Sequence, residues 1–215
     1  MEILIVVIAL ALAAGAGTAV IVIASRRQKI AANDETPVGN RYAHFFTLGS
    51  ICGDQALEGA GAGLEAAVEE ALSRLREIGV PIGDPALLLW QKLNMVPKPG
   101  SGPTEAGQAA NYADAVDRLR ERVRTWGTPD ELQWFQLGRL LRELPLRAAT
   151  AEKQSQKHQV SVQVEALEHL ASQVQLPFRL KGELTNFAQQ IKDGMPGEDY
   201  ESRAYVVSGH ILEVF

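Results

Sequence analysis

Thr128-Pro129-Asp130-Glu131-Leu132-Gln133-Trp134-Phe135-Gln136-Leu137-Gly138-Arg139-Leu140-Leu141-Arg142-Glu143-Leu144 is the stretch from which the fold can be read. Thr before Pro, with Glu three residues after Thr, is a capping box: two side chains satisfy backbone donors that the first helical turn would leave orphaned, and Pro suits the first position. The apolar residues that follow, from Leu132 through Leu144, recur at helical spacing. Gly127 supplies a tight corner before this helix. A helical hairpin is the expected result.

The preceding arm is residues 104–126, where Tyr112, Val116, Leu119, Val123 and Trp126 make a narrow apolar seam and charged residues take most other positions. Asp84-Pro85 repeats the start signal, with Asp as N-cap and Pro at the first position of a short helix that carries Leu87, Leu88, Leu89, Trp90 and Leu93. Further upstream, Leu57, Leu64, Val68, Leu72, Leu75 and Ile78 keep helical intervals up to the turn at 79–83. Tyr42, Phe45, Phe46, Leu48 and Ile51 place another helix over 41–52.

Downstream, Pro145 is read as an interruption, because it lacks an amide donor and its ring crowds the preceding turn. A long helix is then expected from about Leu146 to Gln175, its first half in water and its second half packed through Val160, Val164, Leu167, Ala171 and Val174. Leu180, Leu184, Phe187 and Ile191 mark the next helix, and Tyr200, Ala204, Val207, Ile211 and Val214 the last. No series of alternating runs bounded by hairpin turns is present, so a sheet is not supported. The fold class expected is all-α: a single N-terminal transmembrane helix followed by an irregular helical bundle or stacked helical hairpins. A solenoid stays open beside a closed bundle, since helix pairs recur without a shared diagnostic pattern.

The transmembrane expectation rests on Ile3–Ala24, which has no charged side chain and, apart from Gly15, Gly17 and Thr18, consists of Ala, Val, Ile and Leu. As a helix it would be about 33 Å long, enough to cross the hydrocarbon. A cleaved signal peptide ending at Ala24 is the competing reading; against it stand a missing basic n-region and the length of the apolar run. Arg26, Arg27 and Lys29 follow directly and form a membrane-surface collar. The positive-inside bias places the N-terminus outside and the C-terminal domain in the cytoplasm. Gly15 and Ala19, with Ala11, recur every four residues, a spacing that lets a second helix approach closely, so homo-oligomerisation through the span is considered.

The domain organisation expected is a span with collar over 1–29, a linker over 30–40, an N-terminal helical subdomain over 41–96, a Pro/Gly connector over 97–103 and a C-terminal helical subdomain over 104–215. The chain has 215 residues and a net charge of −5, which gives no basic footprint for nucleic acid. One cysteine, Cys52, cannot form an intramolecular disulfide and agrees with a reducing compartment.

Chemistry finds little purchase. Gly59-Ala60-Gly61-Ala62-Gly63 is not a phosphate loop, having no strand before it and no Lys-Ser or Lys-Thr after it. Glu165, Glu168 and His169 offer fewer ligands than a metal site needs. Leu48-Gly49-Ser50-Ile51-Cys52-Gly53 resembles a nucleophile turn only in outline. No catalytic residue, cofactor or metal is assigned. The expected role is a membrane-anchored adaptor or scaffold that binds other proteins, with Leu89, Trp90 and Trp134 as anchors, Arg120 and Arg124 as a rim, and Gly15 and Ala19 as a face within the bilayer. The alternatives are an accessory structural subunit of a larger membrane complex (electron transfer, transport or secretion) and a membrane-tethered enzyme.

Overall fold

The computed structural model describes residues 38–54, 61–95, 105–194 and 198–215. Among them every regular element is helical: α1 Val38–Gly53, α2 Gly61–Glu77, α3 Pro85–Asn94, α4 Glu105–Arg122 with a 3₁₀ turn at Val123–Thr125, α5 Pro129–Thr150, α6 Gln154–Gln173, α7 Phe178–Asp193 and α8 Glu198–Leu212. Residues 39–215 cluster as one compact unit. The span Ile3–Ala24, with Gly15 and Ala19, the collar Arg26, Arg27 and Lys29, and the connector 97–103 lie outside the described residues. No helix among the described residues is long and apolar enough to cross a membrane.

Both start signals form as spelled. Thr128 Oγ1 accepts from the Glu131 amide at 3.4 Å, and Glu131 Oε2 accepts from the Thr128 amide at 2.7 Å. Asp84 Oδ1 accepts from the Ala86 amide at 2.9 Å, with Pro85 in the first turn. Each cap residue also reaches a distant element. Glu131 Oε1 takes Arg41 Nε of α1 at 2.5 Å, and Arg41 Nη1 donates onward to the Ile78 carbonyl at the end of α2 at 3.1 Å. Asp84 Oδ2 takes Arg122 Nη2 at 2.7 Å and Trp126 Nε1 at 3.3 Å, tying the start of α3 to the end of α4.

Three boundaries differ from expectation. The linker yields its last residues to α1, which starts at Val38. Pro145 does not interrupt: α5 continues through it to Thr150, the break falls at 151–153, and α6 begins at Gln154. The physical reason is tertiary. Pro145 is buried beside Leu140, Leu141 and Leu144, and the Glu143 carboxylate, almost wholly buried, pairs with Arg139 Nη1 at 2.8 Å one turn before and with Arg147 one turn after. This ladder splints the helix across the residue that costs about 3 kcal/mol in an unsupported interior. Ala151 then leaves helical geometry, and Gln156 Oε1 caps the next start by accepting from the Lys153 amide at 2.9 Å.

α1 and α5 cross with their backbones nearly touching. A Cβ added at Gly49 or Gly53 would overlap the carbonyl of Phe135 or Arg139, and one added at Gly138 would overlap the Phe46 carbonyl. Three glycines at one crossing permit an approach no other residue allows. Around it lie Phe45, Phe46, Leu48, Phe135, Leu137 and Leu141, all buried; truncating one such Phe to Ala costs about 3–5 kcal/mol. Downstream, α6 packs on α5 and α7, and α8 lies against both α5 and α7. On the other side, α3 contacts α2 and α4.

Candidate functional site

The expected anchors are interior. Trp90 is 0% exposed and meets the Tyr112 ring edge-on at 5.7 Å. Trp134, 4% exposed, stacks on Tyr42 at 5.9 Å and takes Phe46 and Phe215 edge-on at 6.4 and 4.9 Å. Their large apolar area is already removed from water, so neither ring offers a contact surface in this conformation. Leu89 is half-buried against the core. Arg120 donates from Nη2 to the Cys52 carbonyl at the end of α1, at 2.6 Å, and from Nη1 to Asp117 at 3.4 Å. Arg124, in the 3₁₀ turn, is exposed. These residues are spread over three helices and a turn and do not converge on one face.

The titratable clusters are closed networks. Burial raises the Asp84 and Glu131 carboxyls, but their partners outweigh it: Arg122, the Ala86 amide and Trp126 hold Asp84 below its usual range, and Arg41 and the Thr128 amide do the same for Glu131. Arg142 pairs with Asp54 and lies over the Tyr205 ring at 3.1 Å, while the Tyr205 hydroxyl donates to Asp54 at 2.9 Å. Burial first, then Asp54, raise the Tyr205 hydroxyl above its ordinary value. His44 sits buried with Nδ1 at 3.1 Å from Glu77 and 3.2 Å from Arg74, its basicity lowered chiefly by burial. Cys52 is a buried thiol pushed up to about 12 by desolvation. Such a thiol is a poor nucleophile at neutral pH.

The residues weighed as metal ligands find other company. Glu168 pairs with Lys192 at 2.8 Å, and His169 Nε2 lies 2.9 Å from the Gln173 amide nitrogen. Among the described residues no group of three or more His, Cys, Asp and Glu is placed to hold a metal ion.

What the structure adds is a groove between α7 and α8, open to solvent and about 370 Å³ in volume. α7 turns Leu180, Leu184, Phe187, Ala188 and Ile191 inward and α8 turns Tyr200, Ala204, Val207 and Ile211 inward. The Tyr200 hydroxyl donates to the Gln190 carbonyl at 3.0 Å and holds the hairpin closed at its turn. Along the outer seam Phe187 and Val207 are buried beneath the lining, and Val206, 55% exposed, is the one apolar side chain of the lining that faces solvent. The rim is polar: Asn186, Gln190, Ser202, Arg203, and the pair Glu183–His210, whose Nδ1 lies 2.8 Å from Glu183 Oε2. His210 first, and Arg179 at 2.9 Å, keep the Glu183 carboxyl below its usual range against the opposing effect of burial.

This groove was missed from the sequence because Val206 and Arg203 sit on the polar side of the α8 pattern; only the identity of the neighbouring helix makes them a wall and a rim. Comparison with protein families, with curated proteins and with solved structures returns no match for the chain.

Proposed function

We propose that the chain is a single-pass membrane protein whose helical domain binds other proteins as an adaptor or scaffold, without catalysis of its own, on the cytoplasmic side of the bilayer. The observation that carries the binding role is the α7–α8 groove, a solvent-open cleft with the exposed Val206 on its wall and a polar rim, on the outside of a well-packed hairpin. Grooves of this form receive partner helices, and their apolar walls supply the contact area. The ion networks elsewhere favour a structural role for most of the charged residues, since Arg41–Glu131, Arg122–Asp84 and Arg142–Asp54 join separate elements and Arg139–Glu143–Arg147 braces one helix.

The anchoring role is supported by Ile3–Ala24 and by Arg26, Arg27 and Lys29. A tether confines the domain to a surface and raises its effective concentration near membrane-associated partners. Within the span, Gly15 and Ala19 supply the face on which a second span packs.

Two measurements test the reading on the full chain in its native membrane. Alkaline extraction should leave the protein in the pellet; a mature chain beginning at Ser25 and free of the membrane refutes the anchor. A photo-crosslinking residue at Val206 should capture a discrete protein that the same residue at Asp130, exposed at the far side of α5, does not. Equal capture at both positions refutes the groove as the binding surface.

A further inference from the structure

From Ile78 to Thr104 the sequence holds 27 residues and a single acid, Asp84, in a chain whose 26 Asp and Glu average one in about eight. Asp84 does not reach the surface: its side chain is 2% exposed and is engaged by Arg122, Trp126 and the Ala86 amide. Over 78–95 the exposed charge is therefore Lys92 alone, and the large exposed side chains around it are apolar. Ile82, in the turn before α3, is 83% exposed, and Met95, at the end of α3, 79%, with Leu88 half-exposed between them. Pro85, Leu88, Lys92 and Met95 fall at helical intervals of three and four residues, so they share one outer face of α3. The acid just upstream, Glu77, is held by Arg74 at 2.9 Å, while Arg76 beside it is exposed. Arg41, in the first turn of α1, donates to the Ile78 carbonyl at 3.1 Å. The turn that carries Ile82 thus starts beside the first turn of α1, to which residues 25–37 connect the apolar run Ile3–Ala24.

From these observations we infer that the outer face of α3 and the turn before it rest on an anionic lipid surface, with Ile82, Leu88 and Met95 in the interface and Lys92 against the headgroups. This rests on the anchor reading and adds which face the domain turns to the bilayer. Charge argues for lipid as the occupant. A leaflet that carries anionic headgroups repels carboxylates and attracts ammonium groups, each basic residue near it contributing about 1 kcal/mol. A surface helix meets such a leaflet with its apolar side chains sunk at the headgroup boundary and its lysines among the headgroups. An apolar face cleared of exposed acids, in a chain of net charge −5, matches that demand.

The test uses the full chain reconstituted in vesicles of phosphatidylcholine with about one-third phosphatidylserine. An environment-sensitive fluorophore on Met95→Cys is read for quenching by lipids that carry a nitroxide near the headgroup. Glu165→Cys, on the exposed side of α6, is the reference position, and the buried native Cys52 stays unlabelled. The Met95 probe should be quenched at least 3-fold more than the Glu165 probe, and the difference should shrink in vesicles of phosphatidylcholine alone. Adding Ile82→Glu with Leu88→Glu should bring the Met95 probe down to the reference level, with circular dichroism confirming that these exposed substitutions leave the helices in place. Equal quenching at the two positions, a difference indifferent to lipid charge, or one untouched by I82E/L88E overturns the inference. So does a Met95 probe shielded from water yet out of reach of the nitroxide lipids, which would make a second copy or another part of the chain the occupant. Protein that floats with the vesicles while the two probes quench alike leaves the anchor standing and removes the lipid-facing helix; protein that does not float removes both.

Discussion

Gly49→Ala is the substitution that most directly probes how the helices are held. The added Cβ would overlap the Phe135 carbonyl, a backbone atom that no rotamer change can move, so α1 and α5 must separate by about an ångström. Overpacking of this kind costs about 1–3 kcal/mol, and more where the obstacle is backbone. Alanine returns up to about 1 kcal/mol through its better helix propensity. The net loss expected is about 2 kcal/mol, a fall of about 4–8 °C in Tm for a domain of this size. The control is Gly182→Ala in α7, where an added Cβ meets nothing within 4 Å; it should stabilise by about 0.5–1 kcal/mol. The assay is thermal unfolding of the full chain in detergent, followed by circular dichroism at 222 nm. If G49A melts at or above the wild type while G182A rises as expected, the close crossing of α1 and α5 is refuted.

Asp84 and Glu131 are held below their usual range in the folded state, so their contribution to stability is complete above about pH 4 and is lost as pH falls through the lowered folded values. The D84N/E131Q double variant, which keeps capping atoms but no charge, should be less stable at pH 7 and should show a shallower loss between about pH 4 and 2 in denaturant titrations; parallel profiles would refute the linkage. Glu143→Gln should cost about 1–2 kcal/mol, less than a fully buried pair because Arg139 and Arg147 stay partly hydrated. In a Pro145→Ala background that cost should shrink by at least about 0.5 kcal/mol in a double-mutant cycle, and strict additivity would show that the ladder does not splint the proline.

The parts of the fold that were legible are those governed by neighbours in the chain. Thr128 with Glu131, and Asp84 with Pro85, are signals whose donor, acceptor and geometry lie within four residues, and both helices start where these say. The apolar spacing from Leu180 to Ile191 likewise finds its inward face. Pro145 misled because the local rule is correct for an isolated helix; the residues that override it, Arg139 and Arg147, act through a buried carboxylate whose burial is a tertiary fact. Gly49 and Gly53 were weighed only as part of a nucleophile turn and set aside, because their meaning depends on Gly138, far along the chain. Trp90 and Trp134 were taken as anchors on residue type, yet a large ring at a core-facing helix position serves packing first. The groove illustrates the same limit, since Val206 gains its role only beside Phe187.

A pull applied at the first turn of α1 meets Arg41 at once. Because Arg41 grips Glu131 of α5 and the carbonyl of Ile78 beyond α2, and because the glycine crossing interlocks α1 with α5 below it, traction is shared among three helices rather than peeling one away. Pulled from the start of α1, residues 39–215 should therefore move as a rigid body and yield in a single cooperative rip instead of unspooling helix by helix.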